Sequence, residues 1–129
     1  MQAIEINTVI GASAQDVFKA LTEPLLLKAW FTPDLIAFPE AGTTAAFAIG
    51  EINFKMYIKD CKPPHRLTWQ FVDGNVNWTG SEIQFSLEEA NDRTSLSFHH
   101  INLPDIEKVD LWSASWGMYL EQLKGLCES

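Results

Sequence analysis

Few groups in this chain are able to do chemistry, and their spacing offers little. Of the three histidines, His65 falls in a turn, His99 faces away from the interior and only His100 points inward, because successive strand residues alternate between faces. An inward imidazole can relay protons. With no cysteine or second histidine at ligand spacing, it makes no zinc site, and a buried histidine is more often a neutral core group held by one hydrogen bond. Asp60 shares the inward parity but ends its strand beside Pro63 and Pro64, on the rim. Asp110 and Tyr119 stand where a pocket mouth would be, and both have ordinary structural roles open to them. Ser113 and Ser115 have no base nearby in sequence and no nucleophile-elbow pattern around them. No glycine-rich phosphate loop appears, and neither metal nor cofactor is expected.

Rings are abundant instead: five Trp, two Tyr and eight Phe. Trp69 and Phe71 share one strand face, Phe54 and Met56 another, and Trp112 and Trp116 stand one helical turn apart. These spacings aim bulky side chains at a single interior. A chain of 129 residues should struggle to fill the space between a large sheet and a helix. An apolar cavity is therefore the functional reading, and a ring-rich core without a hollow is the structural one.

The length suits one domain, residues 1–129. Net charge of -8 argues against nucleic acid and anionic membrane, both of which attract basic patches. Cys61 and Cys127 lie far apart in no redox or metal spacing, and separate thiols in a reducing cytoplasm are expected. The opening MQAIEINTVIG alternates and does not read as a signal peptide. No run approaches the ~20 apolar residues that cross a bilayer. The expectation is a cytoplasmic protein with no membrane insertion.

The elements that position these groups follow from periodicity and breakers. Residues 3–10 alternate, with Ile4, Ile6 and Ile10 on one face. Ser13 caps a helix with Asp16 three residues on, and Val17, Phe18 and Leu21 form its buried stripe. Pro24 opens a second short helix through Trp30. Breakers then cut the chain into strands at 44–49, 52–60, 66–72, 81–88 and 94–101, joined by loops short enough to require an antiparallel meander. Phe54, Met56 and Ile58 face in, as do Leu67, Trp69 and Phe71, then Ile83, Phe85 and Leu87, then Leu96, Phe98 and His100. Trp78 breaks the parity of Ile83 and Phe85, which predicts a bulge near Gly80. A last helix starts at Asp105, with Glu107 and Asp110 in its first turns. Its stripe is Val109, Trp112, Trp116, Leu120 and Leu123, and Gly117 reads as a site of close approach or a kink.

This order is that of the helix-grip fold, and the motifs go further. The chain resembles the START-like (SRPBCC) superfamily, and within it the small single-domain relatives of the heat-shock-protein ATPase activator, the AHSA type. The resemblance rests on ASAQDVFKALTEP (Ala12 to Pro24) with Trp30 and Phe31, on KPPHRLTW (Lys62 to Trp69), on TSLSFHH (Thr94 to His100) and on WGMYLEQLK (Trp116 to Lys124). No single motif is specific; their order and spacing are. The resemblance implies an α+β Bet v-like fold: a curved antiparallel sheet of about seven strands, two short helices after the first, and a long helix across the concave face. Relatives commonly carry glycine where this chain has Met56, which adds volume inside, and where it has Asn102, which keeps the turn because Asn tolerates left-handed backbone.

The resemblance also implies a hydrophobic tunnel between the last helix and the sheet. Its lining here would be Trp30, Phe31, Phe47, Phe54, Met56, Trp69, Phe71, Phe85, Phe98, His100, Trp112 and Trp116. Three functions compete. The first is binding of a small hydrophobic ligand of lipid, polyketide or aromatic type. The second is a polyketide cyclase or aromatase-like enzyme in which His100, Tyr119 or Asp110 moves protons. The third is an interaction protein that activates a chaperone ATPase through its outer surface. A homodimer is expected on frequency alone, with no residue pointing to it.

Overall fold

The computed structural model describes residues 2–38, 40–104 and 109–129. Strand β1 (Gln2–Ile10) is followed by helices α1 (Ala14–Thr22) and α2 (Pro24–Trp30). Then come β2 (Asp34–Ile36), β3 (Thr44–Ile49), β4 (Ile52–Lys62), β5 (Arg66–Gly74), β6 (Glu82–Ala90) and β7 (Arg93–Leu103), and finally α3 (Val109–Glu128). The seven strands form one antiparallel sheet in the order β1-β7-β6-β5-β4-β3-β2. Every pairing within β2 to β7 joins sequence neighbours, and β1 closes against β7. This is the helix-grip arrangement, with one face of the sheet covered by helices and the other wet.

Local chemistry sets the helix boundaries. Ser13 Oγ accepts from Asp16 N at 3.1 Å, satisfying one of the orphan amides at the start of α1. Pro24 occupies the first turn of α2, where its missing N–H costs nothing. The indole of Trp30 donates to Ala20 O at 2.6 Å, locking α2 onto α1. At the other end Lys124 donates to Val9 O at 2.9 Å and Gly11 N donates to Glu128 Oε2 at 2.7 Å, so the last turns of α3 are latched to the β1–α1 corner. Trp112, Trp116, Leu120 and Leu123 are buried as the stripe requires. The expected helix start at Asp105 and Glu107 lies outside the described residues.

Four local expectations change. Strand β2 was too short for alternation to reveal; it holds the sheet edge through Leu35 opposite Phe47. Trp78 sits on no strand and makes no bulge. It belongs to the loop between β5 and β6, where Gly80 takes a left-handed φ of 81° and Ser81 N donates to Trp78 O. Register irregularities lie in the β1–β7 pairing, between Gln2 and Ile4, and in the β4–β5 pairing, one of them between Ile58 and Asp60. That shift sets Asp60 opposite Thr68 instead of continuing the inward row of Ile58, and its carboxylate pairs with Arg66. Gly117 permits no close approach, since a Cβ there would meet nothing within 4 Å. Asn102 has the left-handed backbone expected of it, with φ of 61°.

Candidate functional site

Helix α3 crosses the inner face of the sheet with Trp112, Ser115, Trp116 and Tyr119 on one side, a set spaced three and four apart and so stacked along one stripe. Opposite them stand Phe54 from β4, Phe31 just after α2, and Ile49 and Ile52 from the β3–β4 hairpin. The loop between β5 and β6 contributes Val76 and Trp78. These side chains enclose a cavity of about 90 Å³. Its wall is almost wholly apolar, and its polar groups are few. The Ser115 hydroxyl is turned back onto Leu111 O at 3.1 Å. Burial pushes the Tyr119 phenol above its ordinary pKa, so it stays protonated. Ile52 is exposed and marks the mouth.

The rings around this void form one continuous network. Phe31 lies 5.5 Å from Trp116 in a stacked pair and 5.1 Å edge-on to Tyr119. Trp78 meets Trp112 at 5.6 Å and Phe54 at 4.9 Å. Offset and edge-on contacts of this kind add to area burial.

The loop carrying Trp78 is held from both sides. Asn75 Oδ1 accepts from Asn53 N at 2.8 Å, and its Nδ2 donates to Glu51 O at 2.7 Å. Gly74 has φ of 150° and packs so tightly that a Cβ would come within 2.5 Å of Asn53 O. Together they press the loop against the β3–β4 hairpin and fold Trp78 inward.

Beside Trp78 lies a buried polar pair. His100 and Ser81 are both fully buried, with His100 Nε2 3.0 Å from Ser81 Oγ. Burial alone lowers the His100 pKa to about 3, so the ring is neutral at physiological pH. Neither Trp78 Nε1 nor His100 Nδ1 has a hydrogen-bond partner among the described residues.

Of the twelve side chains implied as a lining, Phe31, Phe54, Trp112 and Trp116 border the cavity. Phe47 and Trp69 border a crevice of about 10 Å³ beneath α1 and α2. Trp30, Met56, Phe85 and Phe98 are packed core, and Phe71 is half-buried. His100 stands behind Trp78. The aromatics therefore interlock along most of the sheet and leave a hollow at one end. Ile49, Ile52, Val76, Trp78, Ser115 and Tyr119 complete the wall; Tyr119 was singled out by its helical position, and Trp78 by its broken parity.

The remaining reactive groups are placed elsewhere. Asp110 is exposed and does not border the cavity. Cys127 is half-buried, and burial together with the carboxylates of Asp16 and Glu128 pushes its thiol up to about 11. That is the opposite of a reactive thiolate. Among the described residues no cluster of His, Cys, Asp or Glu could hold a metal, and no helix is long and apolar enough to cross a membrane. On the wet face of the sheet, Lys59 pairs with Glu82 at 2.8 Å and Arg66 with Asp60, in a broad groove that also holds Lys62.

Comparison with known proteins agrees with this architecture. The family model described as activator of Hsp90 ATPase homolog 1-like protein matches residues 11–128. The solution structure of the Aha1 dimer from Colwellia psychrerythraea is 27% identical with a TM-score of 0.91, over 99% of this chain and 97% of that one. CalU16 from Micromonospora echinospora is 26% identical with a TM-score of 0.78, over 95% and 71%. MLL2253 from Mesorhizobium loti shares the fold at 16% identity and a TM-score of 0.83, over 97% and 96%. No curated protein matches the sequence significantly. The chain thus belongs to the family of activator of Hsp90 ATPase homolog 1-like proteins.

Proposed function

We propose that the protein binds a small, flat apolar molecule in the cavity beneath α3. The observation that carries this reading is the cavity itself, about 90 Å³ walled by Phe31, Phe54, Trp78, Trp112 and Trp116 in a domain whose other buried rings are close-packed. Ligand sites are typically apolar hollows with few polar groups. The volume selects among the ligand types. An apolar cavity of roughly 150 Å³ takes up benzene, so this smaller one admits a single ring only with some outward movement of its walls at the mouth, and it is too small for a sterol or a long lipid chain. Toluene and a long-chain fatty acid, followed by ligand-observed NMR and melting temperature, provide the test. Toluene is expected to bind and the fatty acid not to, with Trp112→Ala altering the toluene signal. Absence of any shift across single-ring compounds overturns the reading.

A second reading has its own support. The family description points to activation of an Hsp90 ATPase, and the Colwellia relative is an Aha1 dimer. Stimulation of a purified Hsp90 ATPase by the protein tests it, and unchanged turnover at saturating protein removes it. Proton transfer by His100 is disfavoured, because a fully buried imidazole with a pKa of about 3 is a weak base at neutral pH.

A further inference from the structure

The cavity opens through an apolar rim. On the α3 side Ser115 borders the hollow, and its hydroxyl donates back to Leu111 O. Leu111 and Met118 stand four residues before it and three after, so the three share one stripe of the helix. Leu111 is 64% exposed and Met118 52%. Ile52, itself part of the wall, is 42% exposed on the β3–β4 side. Scattered exposed aliphatics need no explanation, but large ones gathered around a hollow mark a surface that another molecule covers. A free ligand small enough for about 90 Å³ leaves Leu111 and Met118 in water.

Charge narrows what that molecule is. Glu51 adjoins Ile52, Asp110 adjoins Leu111, and Glu121 follows Met118 by three; all three are exposed. Neighbours in sequence or one helical turn away, they lie within roughly one Debye length, about 8 Å, of the rim. None forms an ion pair among the described residues. The stretches 49–53, 74–81 and 109–121, which carry the mouth, contain no lysine or arginine. The remaining wall residues, Phe31 and Phe54, are buried. Lys28, one turn before Phe31, leaves the balance negative, and Lys55, next to Phe54, takes the opposite face of its strand. A chain of net charge -8 extends the same field outward. It repels nucleic acid and anionic lipid and attracts a basic polypeptide.

Size agrees. At roughly 30 Å³ for each water-sized group, about 90 Å³ holds about three carbons, the buried part of a leucine, isoleucine or methionine side chain. Such a chain enters with the walls where they stand. We infer that the mouth docks a basic segment of a partner protein, one of whose aliphatic side chains fills the hollow. Residues beside that anchor cover Leu111, Met118 and Ile52, and flanking lysines or arginines meet Glu51, Asp110 and Glu121. A side chain in a desolvated pocket, ringed by contacts that exclude water, is how interfaces concentrate affinity. The docking goes beyond the cavity reading and does not need it. The two share one hollow, however, so a small ring and the anchor exclude each other.

Three short amidated peptides test this, one of leucine and lysine, one of leucine and glutamate, and one of serine and lysine. Each is titrated into the full protein by two-dimensional 1H–15N NMR. The leucine–lysine peptide is expected to bind about tenfold tighter than either of the others. It should move the amides of 50–53, 76–80 and 111–119 and weaken as salt rises. Leu111→Ser with Met118→Ser should lower its affinity about tenfold, and Glu51→Gln with Asp110→Asn should flatten the salt dependence. All four side chains are exposed, so melting curves should stay in place; if a variant is unfolded, the wild-type affinities and shifts decide. Equal binding of either control peptide, shifts away from the mouth, or indifference to either pair of substitutions overturns the docking. So does absence of peptide binding, which leaves the cavity reading standing. Toluene should displace the bound peptide. Toluene that binds without displacing it takes the anchor out of the hollow and overturns the proposal, whereas toluene that fails to bind counts against the cavity reading alone.

Discussion

The indole of Trp78 stands perpendicular to the imidazole of His100 with 4.7 Å between ring centres. That contact fuses a loop residue to the middle of a core strand. Trp78 also touches Phe54, Trp112 and Trp116, so it closes the cavity and ties three elements together.

Trp78→Ala removes this keystone and should cost about 3–5 kcal/mol, in line with large aromatic deletions in cores. Trp78→Phe keeps most of the ring and discards a buried donor that has no partner among the described residues, so its cost should stay below about 1.5 kcal/mol. Urea unfolding of the three proteins measures both. Equal losses would show that the loop side chain packs loosely.

His100 makes stability depend on pH. Its folded pKa of about 3 lies below the ordinary value of 6.5, so the unfolded chain binds the proton more readily. The contribution is complete above about pH 6.5, declines as pH falls from there to about 3, and levels off below. The total is up to about 5 kcal/mol. Because carboxylates titrate in the same range, the quantity to follow is the difference from His100→Gln. Wild type should lose stability faster than the variant between pH 6.5 and 3, and parallel curves would contradict a sealed neutral ring.

Gly117 and Gly74 should respond oppositely to alanine. At Gly117 the new methyl meets open space, so the helix gains about 1 kcal/mol. At Gly74 it meets Asn53 O and Phe54 Cα at 2.5 and 2.7 Å, backbone that has nowhere to go, and the loss should exceed about 1 kcal/mol. Thermal melts of the two single variants settle the signs.

Asn75 is the pin of the cavity loop, with two side-chain bonds to the β3–β4 hairpin. Asn75→Ala should lower stability by about 1–2 kcal/mol and speed amide exchange at residues 76–80 more than in β5 or β6. Uniform acceleration across the sheet would mean that the loop opens only with the whole domain.

Much of this was legible in the residues. Alternation named the inward rows Phe54–Met56–Ile58 and Leu96–Phe98–His100, because each depends only on neighbours two apart. The α3 stripe was legible for the same reason at helical period. Asp60 was misplaced because the register shift after Ile58 arises from pairing with β5, not from local sequence. The cavity was legible in kind but not in position. Whether Phe47, Met56 and Phe98 plug the interior depends on how they interlock, and its open end is made by Trp78, whose course is set by Gly74 and Asn75 contacting another hairpin.

The unbroken ring network has a photophysical corollary. Trp30 and Trp69 both adjoin Phe31, which adjoins Trp116, and Trp116 adjoins Trp78 and through it Trp112. Trp78 lies 5.6 Å from Trp112 and 6.1 Å from Trp116, and these three indoles border the cavity while Trp30 and Trp69 do not. A quencher arriving at the mouth dims the first three most, and the emission that survives reports the packed end of the core.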